Sequence, residues 1–212
     1  MFVPVRVLLL YSTVVLFWPR PLLAQHAAPT VQEVEAFAER ARSEATTGDE
    51  VPLPENIFKE LVAEATTDGC QDVDRSSFET HRVLLKPHLV GGLAVWGGGQ
   101  CICSPTGNCG FWIYELKNGA YQAVLETDLV NLFGFLKSQT HGYPDLVVWT
   151  HESATDYEAR LLRFNGEQYV LSGGWEEEYE YLDERDQVVR PKKPRITSHF
   201  SSKGAIPSKV EP

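Results

Sequence analysis

The sequence predicts an α+β fold in which N-terminal helices pack on a mainly antiparallel β-meander that is stapled by disulfide bonds. Three observations lead to this fold class. Apolar residues recur at helical spacing in residues 30–69, short strand-like runs separated by turn residues fill residues 78–182, and the chain carries four cysteines. Helices followed by strands are typical of α+β domains. We therefore expect one α+β domain over residues 30–183.

The first 24 residues have the pattern of a secretory signal peptide. Arg6 supplies a positive charge, an apolar run of 12 residues follows, and Ala24 suits the last position before cleavage. At 1.5 Å per residue this run covers about 18 Å of a hydrocarbon core of about 30 Å, too little for a membrane span. We expect cleavage before Gln25, a linker over residues 25–29, no transmembrane anchor after cleavage, and a periplasmic or secreted protein.

The composition limits the classes of function. With 19 basic against 29 acidic residues and a formal net charge of −10, the chain would repel phosphate backbones, so nucleic acid is not an expected partner. A hydrophobic content of 43% and an aromatic content of 11% are enough for a core and exclude disorder throughout the chain. An acidic, folded, exported domain follows from these numbers.

Export gives the four cysteines a structural meaning, because thiols outside the cytoplasm are oxidised and pair. Cys103 and Cys109 flank a strong turn. If Cys101 and Cys103 lie on a strand, both sulfurs point to one face and only one of them can pair with Cys109. We favour the pairs Cys103–Cys109 and Cys70–Cys101, while the other two connectivities stay open. No Cys-x-x-Cys pair or ligand-spaced histidine accompanies these cysteines, so we expect no metal and no cofactor.

Residues 30–69 contain two predicted helices. Thr30 and Glu33 form a capping box at the start of the first helix, which should end near Gly48. Pro54 suits the first turn of the second helix, and Gly69 should end it. The apolar stripes of both helices are expected to pack on one sheet.

Eight strands are predicted in the β-meander. Asn118-Gly119 and Asn165-Gly166 each stand between alternating apolar runs, and Asn-Gly supplies the positive φ values of a two-residue type I′ hairpin. Neighbouring strands should therefore be antiparallel. The predicted strands cover residues 81–85, 92–96, 111–116, 121–126, 132–138, 146–151, 159–164 and 168–172.

The two Asn-Gly turns lie 47 residues apart, and residues 142–148 read Gly-Tyr-Pro-Asp-Leu-Val-Val. This G-x-x-D-L-V-V pattern resembles FG-GAP or VCBS-type β-repeats, as found in uncharacterised exported bacterial proteins, and the resemblance covers residues 110–172. The resemblance implies a binding scaffold of β-hairpins. Residues 137–141 read Lys-Ser-Gln-Thr-His where that family has its aspartate-rich loop, so calcium binding is not carried over.

The search for catalytic residues returns only incomplete patterns. A nucleophile, a base and a carboxylate stand close together at Ser138, His141 and Asp145, in a loop expected to join two strands. A zinc-protease motif begins at His151, but Thr155 replaces its second histidine. We therefore predict no catalytic residue and no metal ligand.

The C-terminal part divides by charge. Residues 175–184 hold six carboxylates and no base, whereas the rest is basic and poor in apolar residues, so we expect a disordered basic tail over residues 184–212. The aromatic residues Trp175, Tyr179 and Tyr181 lie among the glutamates. They form either a solvated edge strand or an acidic-aromatic surface for a cationic partner.

These features favour a non-enzymatic binding or inhibitory module whose partner is an envelope or extracellular protein or polymer. The alternatives are an envelope-directed hydrolase without a recognisable motif and a structural envelope accessory. A cleft with converging titratable side chains would favour the hydrolase. An exposed aromatic patch at Trp96, Trp112 or Trp149 would favour recognition.

Overall fold

The computed structural model describes residues 30–85 and 91–201, so the predicted signal peptide, the linker and the last 11 residues of the predicted tail lie outside the described residues. The described residues form two α-helices and twelve β-strands. In chain order they are α1 (Val31–Glu44), β1 (Asp49–Glu50), α2 (Glu55–Thr67), β2 (Phe78–Val83), β3 (Gly92–Gly97), β4 (Cys109–Lys117), β5 (Ala120–Val130), β6 (Leu132–Thr140), β7 (Tyr143–His151), β8 (Asp156–Phe164), β9 (Tyr169–Glu178), β10 (Tyr181–Leu182), β11 (Val188–Val189) and β12 (Arg195–Ser201).

The strands form two five-stranded antiparallel sheets. The first sheet has the order β1-β2-β3-β4-β5, the second has the order β12-β9-β8-β7-β6, and β10 and β11 form a separate hairpin. The predicted α+β class with an antiparallel meander is confirmed, but the expectation of one sheet is wrong. Only Asn131 separates β5 from β6, and the chain changes sheets at this residue.

The helices and sheets form four layers, with the two helices on opposite outer faces. Side chains alternate along a strand, so each sheet turns one face to the other sheet and one face to a helix. α2 packs on the first sheet through Ile57 and Leu61, and α1 packs on the second through Val34 and Phe37. Between the sheets lie residues of both, including Phe111, Ile113, Phe133, Phe135, Leu146 and Val148.

The predicted helix starts agree with the structure. Thr30 caps α1, and its side chain and that of Glu33 exchange the hydrogen bonds of a capping box. α1 ends earlier than predicted because the backbone of Thr46 pairs with Phe135 of β6, with N–O distances of 3.2 and 3.0 Å. Pro54 stands just before α2 as its cap residue.

The eight predicted strands coincide with parts of β2 to β9. The two-residue turn at Asn118-Gly119 is confirmed, with φ values of +53° and +81°. The corresponding prediction for Asn165-Gly166 is wrong, because Phe164 pairs with Tyr169 across a four-residue loop. The Asn165 side chain accepts hydrogen bonds from the backbone N–H groups of residues 167 and 168, and this closes the longer turn.

The prediction that the disordered tail begins at residue 184 is wrong, since β12 forms antiparallel pairs with β9 up to Ser201. Ile196 of β12 is buried against α1, and Arg195 forms an ion pair with Glu178. Lys193 likewise contacts Glu39 of α1. Basic residues that composition assigns to a solvated tail therefore pair with carboxylates of the folded domain.

Both disulfides have the favoured pairing. Cys70 is bonded to Cys101 and Cys103 to Cys109, and none of the four cysteines is free. Two disulfides indicate an oxidising, extracytoplasmic environment. Among residues 30–85 and 91–201, no helix has the length and apolar character needed to cross a bilayer.

Candidate functional site

A recess of about 540 Å³ opens beside the C-terminal end of α1, where it meets the second sheet. We call it the aromatic recess. Its walls come from α1, three neighbouring strands of the sheet and the segment that follows β9. The lining residues are Arg42, Ala45, Leu132, Phe133, Trp149, Ala154, Tyr157 and Tyr179.

Strand register places the aromatic walls next to each other. Trp149 of β7 lies opposite Leu132 of β6, and Tyr157 of β8 lies opposite His151. The rings of Tyr157 and Tyr179 have centroids 5.4 Å apart and an interplanar angle of 66°, so they form two walls of a corner. The two edge-to-face tyrosine rings offer a ligand two apolar surfaces, and the largely covered Trp149 lies beside them.

The carboxylate of Glu177 lies beneath the recess and is completely buried. Its Oε1 accepts hydrogen bonds from Arg42 Nη2 at 2.8 Å, Trp149 Nε1 at 3.2 Å and Trp175 Nε1 at 2.6 Å. Its Oε2 accepts hydrogen bonds from Arg42 Nε at 3.3 Å and from the Tyr179 hydroxyl at 3.0 Å. A buried charge of this kind is tolerated because it is paired and fully hydrogen-bonded.

This network fixes the recess in shape and in charge. Arg42 and Glu177 neutralise each other, so the pair adds no net charge. Burial, and then the nearby Glu177 carboxylate, raise the pKa of Tyr179 to about 12, so its hydroxyl stays protonated and donates to Glu177 at neutral pH. Trp149 and Tyr179 are thereby held in place before any ligand arrives.

A second concave site, which we call the acidic cleft, lies between α2 and the first sheet and has a volume of about 500 Å³. Glu64, Asp68 and Glu126 line it beside the Cys70–Cys101 disulfide. Partial burial, followed by the neighbouring Glu126 carboxylate, raises the pKa of Glu64. The cleft therefore contains two adjacent carboxyls, of which one is biased towards its protonated form.

The residues considered for catalysis in the sequence do not form a catalytic relay. Ser138 Oγ donates to Asp145 Oδ2 at 2.8 Å, and Thr140 Oγ1 donates to Asp145 Oδ1 at 2.7 Å. His141 is exposed in a two-residue hairpin turn with a φ of +54°. The predicted loop is a β6–β7 hairpin whose polar strand residues bond to each other, and the histidine does not stand between the hydroxyl and the carboxylate.

The three tryptophans considered for an exposed patch are largely covered. Trp96 is half-buried and donates its indole N–H to Val130 O at 3.1 Å, while Trp112 is 8% exposed. Trp149 is 6% exposed and lines the aromatic recess. Recognition is therefore supported by a recess rather than by a flat patch.

The acidic segment after residue 174 has neither of the two expected forms. β9 is an interior strand between β8 and β12, and Trp175 is completely buried rather than part of a surface. Tyr181 lies under the guanidinium of Arg195, 3.9 Å from its ring centroid. Of the three aromatic residues in this segment, Tyr179 lines the recess.

Arg42, Tyr157 and Glu177 belong to none of the motifs that the sequence predicts to be functional. Glu177 has a local signal, because it lies two residues from both Trp175 and Tyr179. Residues two apart along an extended segment share a face. Arg42 has no such signal. It reaches Glu177 across 135 residues of sequence.

Within the part of the chain that the structure describes, no group of three or more His, Cys, Asp or Glu side chains is arranged to hold a metal ion. In comparisons with known proteins, no family model, curated protein or solved structure matches this chain.

Proposed function

We propose that the protein is a non-enzymatic binding module that acts in the periplasm or outside the cell and holds part of an envelope or extracellular partner in the aromatic recess. The supporting observation is the buried Glu177, which fixes Arg42, Trp149 and Tyr179 around the recess. A site whose side chains are already ordered loses less entropy on binding than a mobile one.

Binding fits the recess better than catalysis does. A general acid or base must lie within hydrogen-bond reach of the substrate. Glu177 is fully buried, and both of its oxygens accept hydrogen bonds from neighbouring side chains. Its role in the recess is to position the wall residues.

A second candidate function is hydrolysis of an envelope polymer in the acidic cleft. It is favoured by the raised pKa of Glu64 beside Glu126, because two carboxyls with different protonation states can act as acid and base. The two side chains are close enough to hydrogen-bond to each other. Glycoside hydrolases separate their carboxyls by at least about 5 Å, so this pair lacks their geometry.

Retention of partner material by immobilised protein tests the binding function. The oxidised chain from Gln25 would be incubated with envelope and extracellular fractions in three forms: wild type, Tyr157→Ala and Tyr181→Ala. Tyr157 lines the recess, whereas Tyr181 packs under Arg195 and provides a matched control. We expect wild type and Tyr181→Ala to retain the same material and Tyr157→Ala to lose it.

Equal retention by all three forms, or no retention by any, would contradict binding through the recess. Release of soluble fragments from envelope polymers is the corresponding test of the hydrolase. Fragment release that Glu64→Gln abolishes and Tyr157→Ala does not would establish the acidic cleft as the functional site.

A further inference from the structure

We propose that the group held in the aromatic recess is a neutral sugar ring of an extracellular glycan. This inference rests on the proposed binding function and adds the chemical class of the ligand. It follows from the charge, polarity and shape of the residues that line the recess.

The charges around the recess disfavour ionic ligands of either sign. The chain carries a formal net charge of −10, so it repels anionic groups. A cationic group would find no free carboxylate in the recess, because the lining contains no Asp or Glu and the buried Glu177 is already paired with Arg42. The pairing of Arg42 with Glu177 leaves a neutral ligand as the one that meets no uncompensated charge.

The polarity of the walls disfavours a purely apolar ligand. Arg42 uses Nε and Nη2 to bond Glu177, so the N–H groups on Nη1 are not part of that pair. Tyr157, another lining residue, carries a phenolic hydroxyl. An aliphatic occupant would remove these polar groups from water without giving them a partner, and this costs free energy.

A sugar ring matches both surfaces. Its C–H faces pack on aromatic rings, and its equatorial hydroxyls accept and donate hydrogen bonds at the ring edge. The corner formed by Tyr157 and Tyr179, with Trp149 beside it, supplies the apolar contacts. The volume of about 540 Å³ lies inside the range of roughly 300–1,000 Å³ for small-ligand pockets.

Titrations with soluble probes test the ligand class. Neutral oligosaccharides of glucose and of N-acetylglucosamine would be compared with glycine betaine, choline and citrate by intrinsic tryptophan fluorescence and calorimetry. We expect saturable binding of at least one neutral oligosaccharide and none of the charged small molecules. Trp149 should report binding through its fluorescence because it lines the recess.

Variants separate stacking from a general loss of structure. Tyr157→Ala should weaken sugar binding roughly tenfold or more, whereas Tyr157→Phe should keep most of the affinity because the ring face remains. Leu132→Asn and Leu116→Asn form a matched pair of exposed strand leucines, of which only Leu132 lines the recess. Binding should fall in the first of these two variants and stay unchanged in the second.

The outcomes distinguish this inference from the proposed function. Binding of choline or betaine without sugar binding would overturn the sugar assignment in favour of a cationic ligand. Retention of envelope material that depends on Tyr157, together with no binding of any neutral oligosaccharide, would also overturn it while the binding function stands. Sugar binding that is equal in Tyr157→Ala and wild type would show that the ligand sits elsewhere.

Discussion

The side chain of Asn108 pairs with both backbone polar groups of His151. Asn108 Nδ2 donates to His151 O at 2.9 Å, and His151 N donates to Asn108 Oδ1 at 2.7 Å. Asn108 is only 4% exposed, and it joins the loop closed by Cys103–Cys109 to β7 of the other sheet. A side-chain amide here makes the two bonds that a neighbouring strand would make.

The same loop is linked to the aromatic recess through His151. Thr106 O accepts a hydrogen bond from His151 Nδ1 at 3.0 Å, and Gly107 O accepts one from Asn131 Nδ2 at 3.2 Å. The His151 ring in turn contacts Tyr157, with centroids 4.2 Å apart. The disulfide loop is therefore connected to a recess wall through one histidine.

Replacing Asn108 should destabilise the protein more than replacing Asn131. Asn108→Ala removes three side-chain hydrogen bonds in a covered site, two of them to the backbone of His151, at a cost of about 2 kcal/mol. Asn131→Ala removes one exposed bond and should cost less than about 1 kcal/mol. Urea unfolding of both variants measures the difference, and equal midpoints would show that the Asn108 pairing contributes little.

The two disulfides should contribute unequally to stability. Loop-closure entropy predicts roughly 2 kcal/mol for Cys103–Cys109 and roughly 4 kcal/mol for Cys70–Cys101, because the enclosed segments differ in length, with sequence separations of 6 and 31. Pairwise Cys→Ser variants, unfolded in denaturant, give both values. Non-reducing peptide mapping of wild type checks the pairing directly, and a Cys70–Cys103 peptide would refute it.

Glu177→Gln should lower the free energy of unfolding by about 3 kcal/mol, because it leaves the Arg42 guanidinium without its buried counter-charge. With its carbonyl oxygen in place of Oε1, the glutamine still accepts from both indole N–H groups, but its NH2 group then faces Arg42 Nε, which is also a donor. Glu176→Gln is a suitable control, since Glu176 is exposed on the same strand. Thermal unfolding would show a large drop for Glu177→Gln alone, and similar melting of both variants would mean that the buried pair is not formed.

Truncation after Glu184 should destabilise the domain more than truncation after Ser201, because only the shorter chain lacks β12. The shorter chain lacks β12 and so loses the burial of Ile196 and the Arg195–Glu178 ion pair. Burial of one isoleucine side chain alone is worth about 2 kcal/mol. Calorimetry of the two truncated forms beside full-length protein makes the measurement, and unchanged melting after truncation at Glu184 would show that β12 is not docked.

Glu64→Gln should raise stability at neutral pH and remove a pH dependence. A carboxyl whose pKa is raised on folding favours the folded state when protonated, and this contribution is lost as pH rises through its folded pKa. The glutamine variant cannot ionise, so its advantage over wild type should grow across that range and vanish below the unfolded pKa of about 4.3. Denaturant unfolding from pH 3 to pH 8 gives the free energy of unfolding of both proteins. If the two curves against pH are parallel, the pKa of Glu64 is not raised on folding.

Local sequence signals predict much of this fold, because many of its elements depend on contacts between residues that are close in sequence. The Thr30 capping box, the continuous apolar run in β7 and the turn at Asn118 each involve residues within a few positions of one another. Local signals do not predict β12, because its stability comes from pairing with β9 and from burial of Ile196 under α1. The recess is not predicted for the same reason, because Arg42 and Glu177 are far apart in sequence and come into contact only in the folded chain.

The covering of the second sheet by α1 has a consequence for the order of folding. The first helix of the described chain finds its partners in β6 to β9 and in β12, so its contacts reach across more than a hundred residues, with Lys193 and Glu39 separated by 154. Contacts between residues so far apart in sequence form late and lower the folding rate, because a long loop must close before they can form. Within residues 30–201, the first helix to be synthesised is thus among the last elements to be buried, and a partly synthesised chain keeps the apolar face of α1 uncovered.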